Sequence, residues 1–348
     1  MLHARTSAPE KKEIHVVAIG GGTGLSTLLR GAKEFVGTND FDEIILRALS
    51  AIVAVTDDGG SSGRLRDELQ MLPPGDIRNC LVALSEDSNL LSKLFQHRFG
   101  GNGNLGGHNF GNLFLAAMTE VSGDFAEAVR LSSEVLAIKG KIYPATNSDV
   151  RLVAELENSI IVRGESNITA ARSTIKKLWL EPKVCAPLPE AVAAIEAADV
   201  ITVGPGSLFT SLLPPLLVAG VARAIGEATA TKIFICNLMT QPGETDNLTA
   251  FEHLEKIKEY APEIDFDFIV VNNRQISAAQ ATRYAAEGAR QIGLGNSLSP
   301  VLRDKTVKLV RVDLLAEGEQ VRHEPQKLAR VVLDCAVNSR KFKPFGLG

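Results

Sequence analysis

The stretch Val16-Val17-Ala18-Ile19-Gly20-Gly21-Gly22-Thr23-Gly24 runs straight into apolar residues at helical spacing over 25–35. A short unbroken apolar run before a glycine cluster reads as a strand buried in a parallel sheet. Four glycines in positions 20–24 then let the backbone approach a ligand with no Cβ in the way. The helix that follows would aim unpaired N–H groups and its positive dipole end at an anion. Strand, turn and helix together predict a phosphate-binding unit for a nucleotide or sugar nucleotide. The alternative is a tight turn that binds nothing. Gly20 and Gly22 can each start the dinucleotide pattern G-x-G-x-x-G, but its last glycine falls on Leu25 or Thr27. A Walker loop needs a lysine, and none lies between Lys12 and Lys33. NAD therefore ranks behind a sugar nucleotide, and a P-loop is absent.

Outward from this unit, strand and helix patterns alternate. Strands are expected over 51–55, 200–203, 233–236, 268–271 and 309–312. Helices are expected over 77–85 with Asp76 as N-cap, and over 109–119, 125–137, 190–198 and 327–337. Near 150–168 the texture changes to period-two alternation around Glu157-Asn158, the mark of an antiparallel hairpin. The expected fold is α/β: a doubly wound, mostly parallel, Rossmann-like sheet with a small hairpin insertion. One domain over 14–340 is expected, between a flexible tail at 1–13 and another at 341–348.

Composition narrows the class. The 348 residues carry a net charge of −4 and only 5% aromatic residues, with no basic patch interleaved with aromatics, which argues against a nucleic-acid partner. Cys80, Cys185, Cys236 and Cys335 form no C-x-x-C pair and suit buried thiols in a reducing cytoplasm. Residues 1–13 lack the apolar core of a signal peptide. The apolar run over 208–225 contains Pro214, Pro215 and Arg223, so a core helix explains it better than a membrane span. A cytoplasmic protein is expected, and a homodimer is plausible for its class.

Ligands of such sheets sit beyond the carboxyl ends of the strands, near the switch in strand order. Five expected strand ends carry small or polar residues: Gly20–Gly24, then Asp57-Asp58 with Gly59–Gly63, then Gly204, Gly206 and Ser207, then Asn237, then Asn272. Asp57 and Asp58 can contact a ribose, help hold a hydrated Mg²⁺ on phosphates, or cap a turn. The 59–63 stretch can fold over a ligand, bringing Arg64 or Arg66 to a phosphate. The oddest segment is 99–112, with five glycines in the eight positions 100–107. Asn109 and Asn112 share a helix face there and, with Asn79, can read a base or sugar. His108 is open between ligand contact and helix entry. No nucleophile stands out: Ser207 follows Gly-Pro-Gly, but Phe209 takes the last glycine position of the G-x-S-x-G elbow. Arg322, before the last helix, can reach the same site.

Seven segments carry a resemblance to a known family: Gly20–Gly24, 56–64, Pro74-Gly75-Asp76-Ile77-Arg78-Asn79-Cys80-Leu81, 99–112, 204–211, 241–245 and Arg322-His323. With them the chain resembles the gluconeogenesis factor family, the YvcK-like branch of a superfamily that also holds the CofD-like 2-phospho-L-lactate transferases. The resemblance implies a modified doubly wound fold and a regulatory protein needed for cell shape or wall synthesis on gluconeogenic carbon. It also implies binding of a UDP-sugar such as UDP-N-acetylglucosamine, and an unidentified protein partner in cell-wall or carbon metabolism. The transferase branch uses Mg²⁺, so an Mg²⁺-dependent phosphoryl-group or nucleotidyl transferase is the alternative. The Thr-Asp-Asp-Gly-Gly-Ser-Ser-Gly-Arg and Gly-Asp-Ile-Arg-Asn forms are those of the regulator branch, which puts transfer chemistry in doubt. No catalytic residue is assigned.

Overall fold

Seven parallel strands pair in one sheet, and three antiparallel strands form a second. The computed structural model describes residues 11–86, 89–295 and 307–339. The large sheet uses β1 (Lys12–Gly20), β2 (Ile44–Val53) and β3 (Lys141–Pro144). The small sheet follows in the chain with β4 (Arg151–Leu156), β5 (Ile161–Arg163) and β6 (Ile175–Glu181). The large sheet resumes with β7 (Val200–Val203), β8 (Thr231–Ile235), β9 (Phe268–Asn272) and β10 (Lys308–Val312). Its strand order is β10-β9-β8-β7-β1-β2-β3. The chain starts in the middle, builds outward to β3, then returns to β7 beside β1 and builds the other way. The reversal lies between β1 and β7, where a doubly wound sheet opens its ligand crevice.

The helices are α1 (Gly22–Ala32), α2 (Gly60–Leu69), α3 (Gly75–Leu84), α4 (Asn89–Gln96), α5 (Phe110–Ser122), α6 (Phe125–Val135) and α7 (Glu165–Ala171). They continue with α8 (Pro189–Glu196), α9 (Leu213–Leu217), α10 (Val221–Glu227), α11 (Ala250–Tyr260), α12 (Ala278–Ala286) and α13 (Pro325–Val337). β1 is apolar over Val16–Ile19 because both faces are covered; all four residues are buried. α1 buries Leu25, Leu28, Leu29 and Ala32, the i, i+3, i+4, i+7 stripe that makes it amphipathic. It packs on α3 and α13. The fit on α13 is close, since a Cβ on Gly31 would stand 1.9 Å from the Pro325 carbonyl oxygen.

Several expectations change. The hairpin exists, but β4 pairs with β6 as well as β5, so the insertion has three strands and runs to Glu181. Its period-two signal reappears in β6, beyond the expected boundary. β1 begins at Lys12 and absorbs the last two residues of the stretch read as a tail. The rest of that stretch, 1–10, and the C-terminal tail, 341–348, lie outside the described residues apart from Lys11. The 59–63 flap is instead the start of α2, with Ser61, Ser62 and Gly63 buried. Asp76 is not an N-cap: Pro74 holds that position, and Asp76 sits in the first turn of α3. The apolar 208–225 run breaks into a π-helical turn, α9 and α10, with an 80° bend; among the described residues no single helix is long and apolar enough to cross a membrane. All four cysteines are free and buried, as expected.

Candidate functional site

At the switch point, Gly21–Gly24 and Thr27 face Gly206, Ser207 and Ser211 across a cleft of about 220 Å³. Asn237, Gln241, Arg322 and His323 complete its wall. Two turns must approach closely here. A Cβ on Gly24 would stand 2.3 Å from the Pro205 carbonyl oxygen, so only glycine lets the α1 turn meet the turn after β7. Gly21 caps α1 with no side chain, and the first turn of α1 contains no acid. That leaves helix N–H groups and the positive dipole end available to an anion. The opposite turn is pinned from β8 and beyond. Gly206 N–H donates to Asn237 Oδ1 at 3.0 Å, and Gln241 Nε2 donates to Ser207 Oγ at 2.6 Å.

A groove of about 240 Å³ continues from Thr23, Thr27 and Arg322 to Asn79 and Asn109, and Arg30, Arg78 and Arg98 line it. Four guanidinium groups thus flank one side of the glycine turn. Arg78 Nη2 donates to Asn79 Oδ1 at 2.7 Å, so Asn79 positions an arginine as well as lining the groove.

Carboxylates gather near the same turn. Asp76 reaches Gly22, whose backbone N–H bonds to it, and a Cβ on Gly21 would lie 2.6 Å from Asp76 Oδ2. Burial first, and then the Asp57 charge, raise the Asp76 pKa to about 6. Glu165 is raised well above its ordinary value by burial, and then by Asp76, Asp57, Asp58 and Glu244. The insertion places Glu165: Asp58 Oδ1 accepts from Ser166 N–H at 2.8 Å, and Thr169 Oγ1 donates to Glu244 Oε1 at 2.9 Å. α7 therefore latches the loop after β2 to the loop after β8.

Asp57, Asp58 and Asp76 do not line the cleft or the groove; the Asp57 charge acts on Asp76. Asp57 Oδ1 accepts from Gly59 N–H at 2.9 Å, the turn-capping role left open by the sequence. Among the described residues no group of three or more His, Cys, Asp or Glu side chains is arranged to hold a metal. Mg²⁺ needs only one or two carboxylates when ligand phosphates and water fill its other positions. The hard oxygens of Asp57 and Asp76, with Gly22 N–H already on the same carboxylate, fit that sparse kind of site.

Other expected contacts are structural. His108 Nδ1 lies 3.1 Å from Ser61 Oγ, and Asn112 Nδ2 donates to that oxygen at 3.2 Å, so both anchor α2 rather than face the cleft. Burial, and then Arg64, lower the His108 pKa. Asn109 lines the groove while its Oδ1 caps α5 by accepting from Gly111 N–H at 2.9 Å. Asn272 Oδ1 accepts from Leu314 N–H at 3.1 Å and its Nδ2 donates to the Arg274 carbonyl at 2.6 Å; it ties β9 to its neighbour away from the cleft. Gly20 and Gly204 shape the floor through backbone, Gly204 at φ +94° under the Ile235 carbonyl. Arg64 donates to the Gly106 carbonyl, and the buried Arg66 to Asp149 and the Val150 carbonyl; neither lines the cleft or the groove. Sequence reasoning missed Gln241 and His323 in the cleft wall, and Asp76 as the carboxylate held by the α1 turn. All three lie in the segments that carry the family resemblance.

Size does not mark the site. A roomier cleft of about 650 Å³ is lined by Glu68, Glu120, Asp124 and Asp149, a set of carboxylates that repels phosphate.

Comparison with known proteins accords with this geometry. A family model described as 2-phospho-L-lactate transferase CofD matches residues 16–315. The gluconeogenesis factor of Halalkalibacterium halodurans is 46% identical over 323 residues, covering 93% of this chain and 97% of that protein. The gluconeogenesis factor of Bacillus subtilis is 43% identical over 320 residues, covering 92% and 97%. A crystal structure of a protein from Bacillus halodurans superposes with a TM-score of 0.85 at 46% identity, covering 92% of this chain and 99% of that one. On its sheet order, its glycine cleft and these matches, the chain belongs to the CofD-like family that includes the gluconeogenesis factors.

Proposed function

We propose that the protein binds a UDP-sugar, such as UDP-N-acetylglucosamine, in the switch-point cleft and acts as a metabolite-responsive regulator. The observation that carries this reading is the N-terminus of α1, which has no bond from an N-cap side chain and faces the Gly206–Ser207 turn, with Arg322 on its rim. The diphosphate would rest on the N–H groups of Gly21, Thr23 and Gly24, the Gly22 N–H being held by Asp76, and Arg322 would pair with it or with the sugar. Asp76 beside that anion requires a positive charge between them. Mg²⁺ held by Asp76 and Asp57, or a proton on Asp76, meets the requirement.

The regulated process would be cell-wall synthesis and cell shape during growth on gluconeogenic carbon. A cytoplasmic homodimer with a protein partner in that metabolism is part of the same reading. The carboxylates beside the cleft favour one second reading, an Mg²⁺-dependent transferase of phosphorus-containing groups. Titration calorimetry with UDP-N-acetylglucosamine separates these. Saturable binding with Mg²⁺, weakened by EDTA and without product, supports the regulator. Turnover that EDTA abolishes supports the transferase, and the absence of any binding heat overturns the leading reading.

A further inference from the structure

Two buried acceptors in the cleft have no partner. His323 is 8% exposed and its Nε2 is unpaired, while Gln241 leaves Oε1 buried and unpaired. Both residues line the cleft, from different elements: Gln241 from the loop after β8 and His323 from the segment before α13. Their remaining polar atoms are used. Gln241 Nε2 holds Ser207, and the Cys236 backbone favours a proton on the His323 ring. Since Nε2 is unpaired, that proton sits on Nδ1 and Nε2 keeps its lone pair. Burial pushes the His323 pKa down to about 4, so the ring is neutral at pH 7. Buried acceptors without donors are rare in native proteins, and two in one cleft point to a bound partner.

We propose that His323 and Gln241 form an acceptor pair that reads N–H or O–H donors on the bound ligand. Alongside them, Arg322 and the α1 N-terminus attract anions. The cleft then orients its ligand, with phosphate toward α1 and donors toward His323. An anionic group turned the other way meets two lone pairs and is rejected. The inference rests on the sugar-nucleotide reading. In UDP, the part shared by every ligand of this class, the donors are the ribose hydroxyls and the imide N–H of the base.

Calorimetric titration of UDP, 2′-deoxy-UDP and N3-methyl-UDP into the wild-type, His323→Leu and Gln241→Met proteins tests it. The wild type should lose roughly tenfold in affinity for whichever analogue lacks the donor that is read. In His323→Leu or Gln241→Met, that ratio should fall below about twofold, because the acceptor that sensed the donor is gone. The analogue that behaves this way identifies ribose or base as the source. Unchanged ratios in both variants, or a wild type that discriminates against neither analogue, overturn the acceptor pair while leaving nucleotide binding intact. A wild type that binds none of the three overturns the sugar-nucleotide reading and this inference with it. Should His323→Leu fail to fold, Gln241→Met decides by the same ratio.

Discussion

The two glycine-dense segments, 20–24 and 99–112, look alike in sequence and serve different ends. In the first, the glycines bring two chain turns together beside a helix N-terminus: the Gly24 Cα packs directly against the Pro205 carbonyl at the edge of the cleft. In the second, the chain closes mainly on itself. A Cβ on Gly106 would meet the Gly101 carbonyl of the same loop, and Gly100, Gly101 and Gly103 have nothing within 4 Å of that position. The loop's carbonyls at Gly106 and Gly107 accept from Arg64 and Arg98. Its glycines therefore act on the site indirectly, through Arg98 on the groove wall, while Asn109 lines that groove itself. Glycine density alone does not mark a ligand site. Glycines at a strand end beside the sheet's switch point do.

Substitutions can break that contrast, the largest effect first. Gly24→Val drives side-chain atoms into the Pro205 carbonyl and should cost about 3 kcal/mol of stability. A denaturant midpoint equal to wild type would mean the two turns are not in contact. Arg322→Ala removes an exposed guanidinium from the cleft rim. It should weaken UDP-N-acetylglucosamine binding by about 1.5–3 kcal/mol with an unchanged melting temperature. An equal dissociation constant removes Arg322 from the site.

Asp76→Asn tests the acid flank. The folded-state pKa of Asp76 is raised to about 6 from 3.8, so the native protein holds the extra proton and loses stability as pH rises through that window. The asparagine variant should be more stable than wild type at pH 8 by about 1.5 kcal/mol, because a buried carboxylate must be charged there and an amide need not. The difference should vanish below pH 4, and a less stable variant at pH 8 would contradict the assignment. Gly103→Ala, in the self-closing loop, should shift both stability and binding by less than about 0.5 kcal/mol.

Much of the architecture was legible because its signals are local. The Val16–Gly24 unit, the buried β7 and the β4–β5 hairpin follow from apolar runs, glycines and period-two alternation. β3 was not foreseen, since Lys141–Pro144 is short and ends in proline. β6 carries the same alternation as β4, but its pairing partner lies across α7 in the chain. At the site, Gly21–Gly24, Gly206, Asn237 and Arg322, all expected at the ligand from the sequence, line one cleft. His108, Asn112 and Asn272 were not distinguishable by type from ligand contacts, because amides and imidazoles bond to protein and ligand with the same atoms. Asp76 was read as a cap for the same reason: a carboxylate in a first helical turn suits a cap, and only the fold brings the α1 turn against it.

The central claim is that the cleft between the ends of β1 and β7 holds a sugar nucleotide. A crystal structure of the protein with UDP-N-acetylglucosamine and Mg²⁺ tests it most directly. The account predicts diphosphate density over Gly21–Gly24, within hydrogen-bond reach of the Gly21, Thr23 and Gly24 N–H groups and facing Gly206 and Ser207. Ligand density confined to another cleft, with the α1 N-terminus left to solvent, would contradict it.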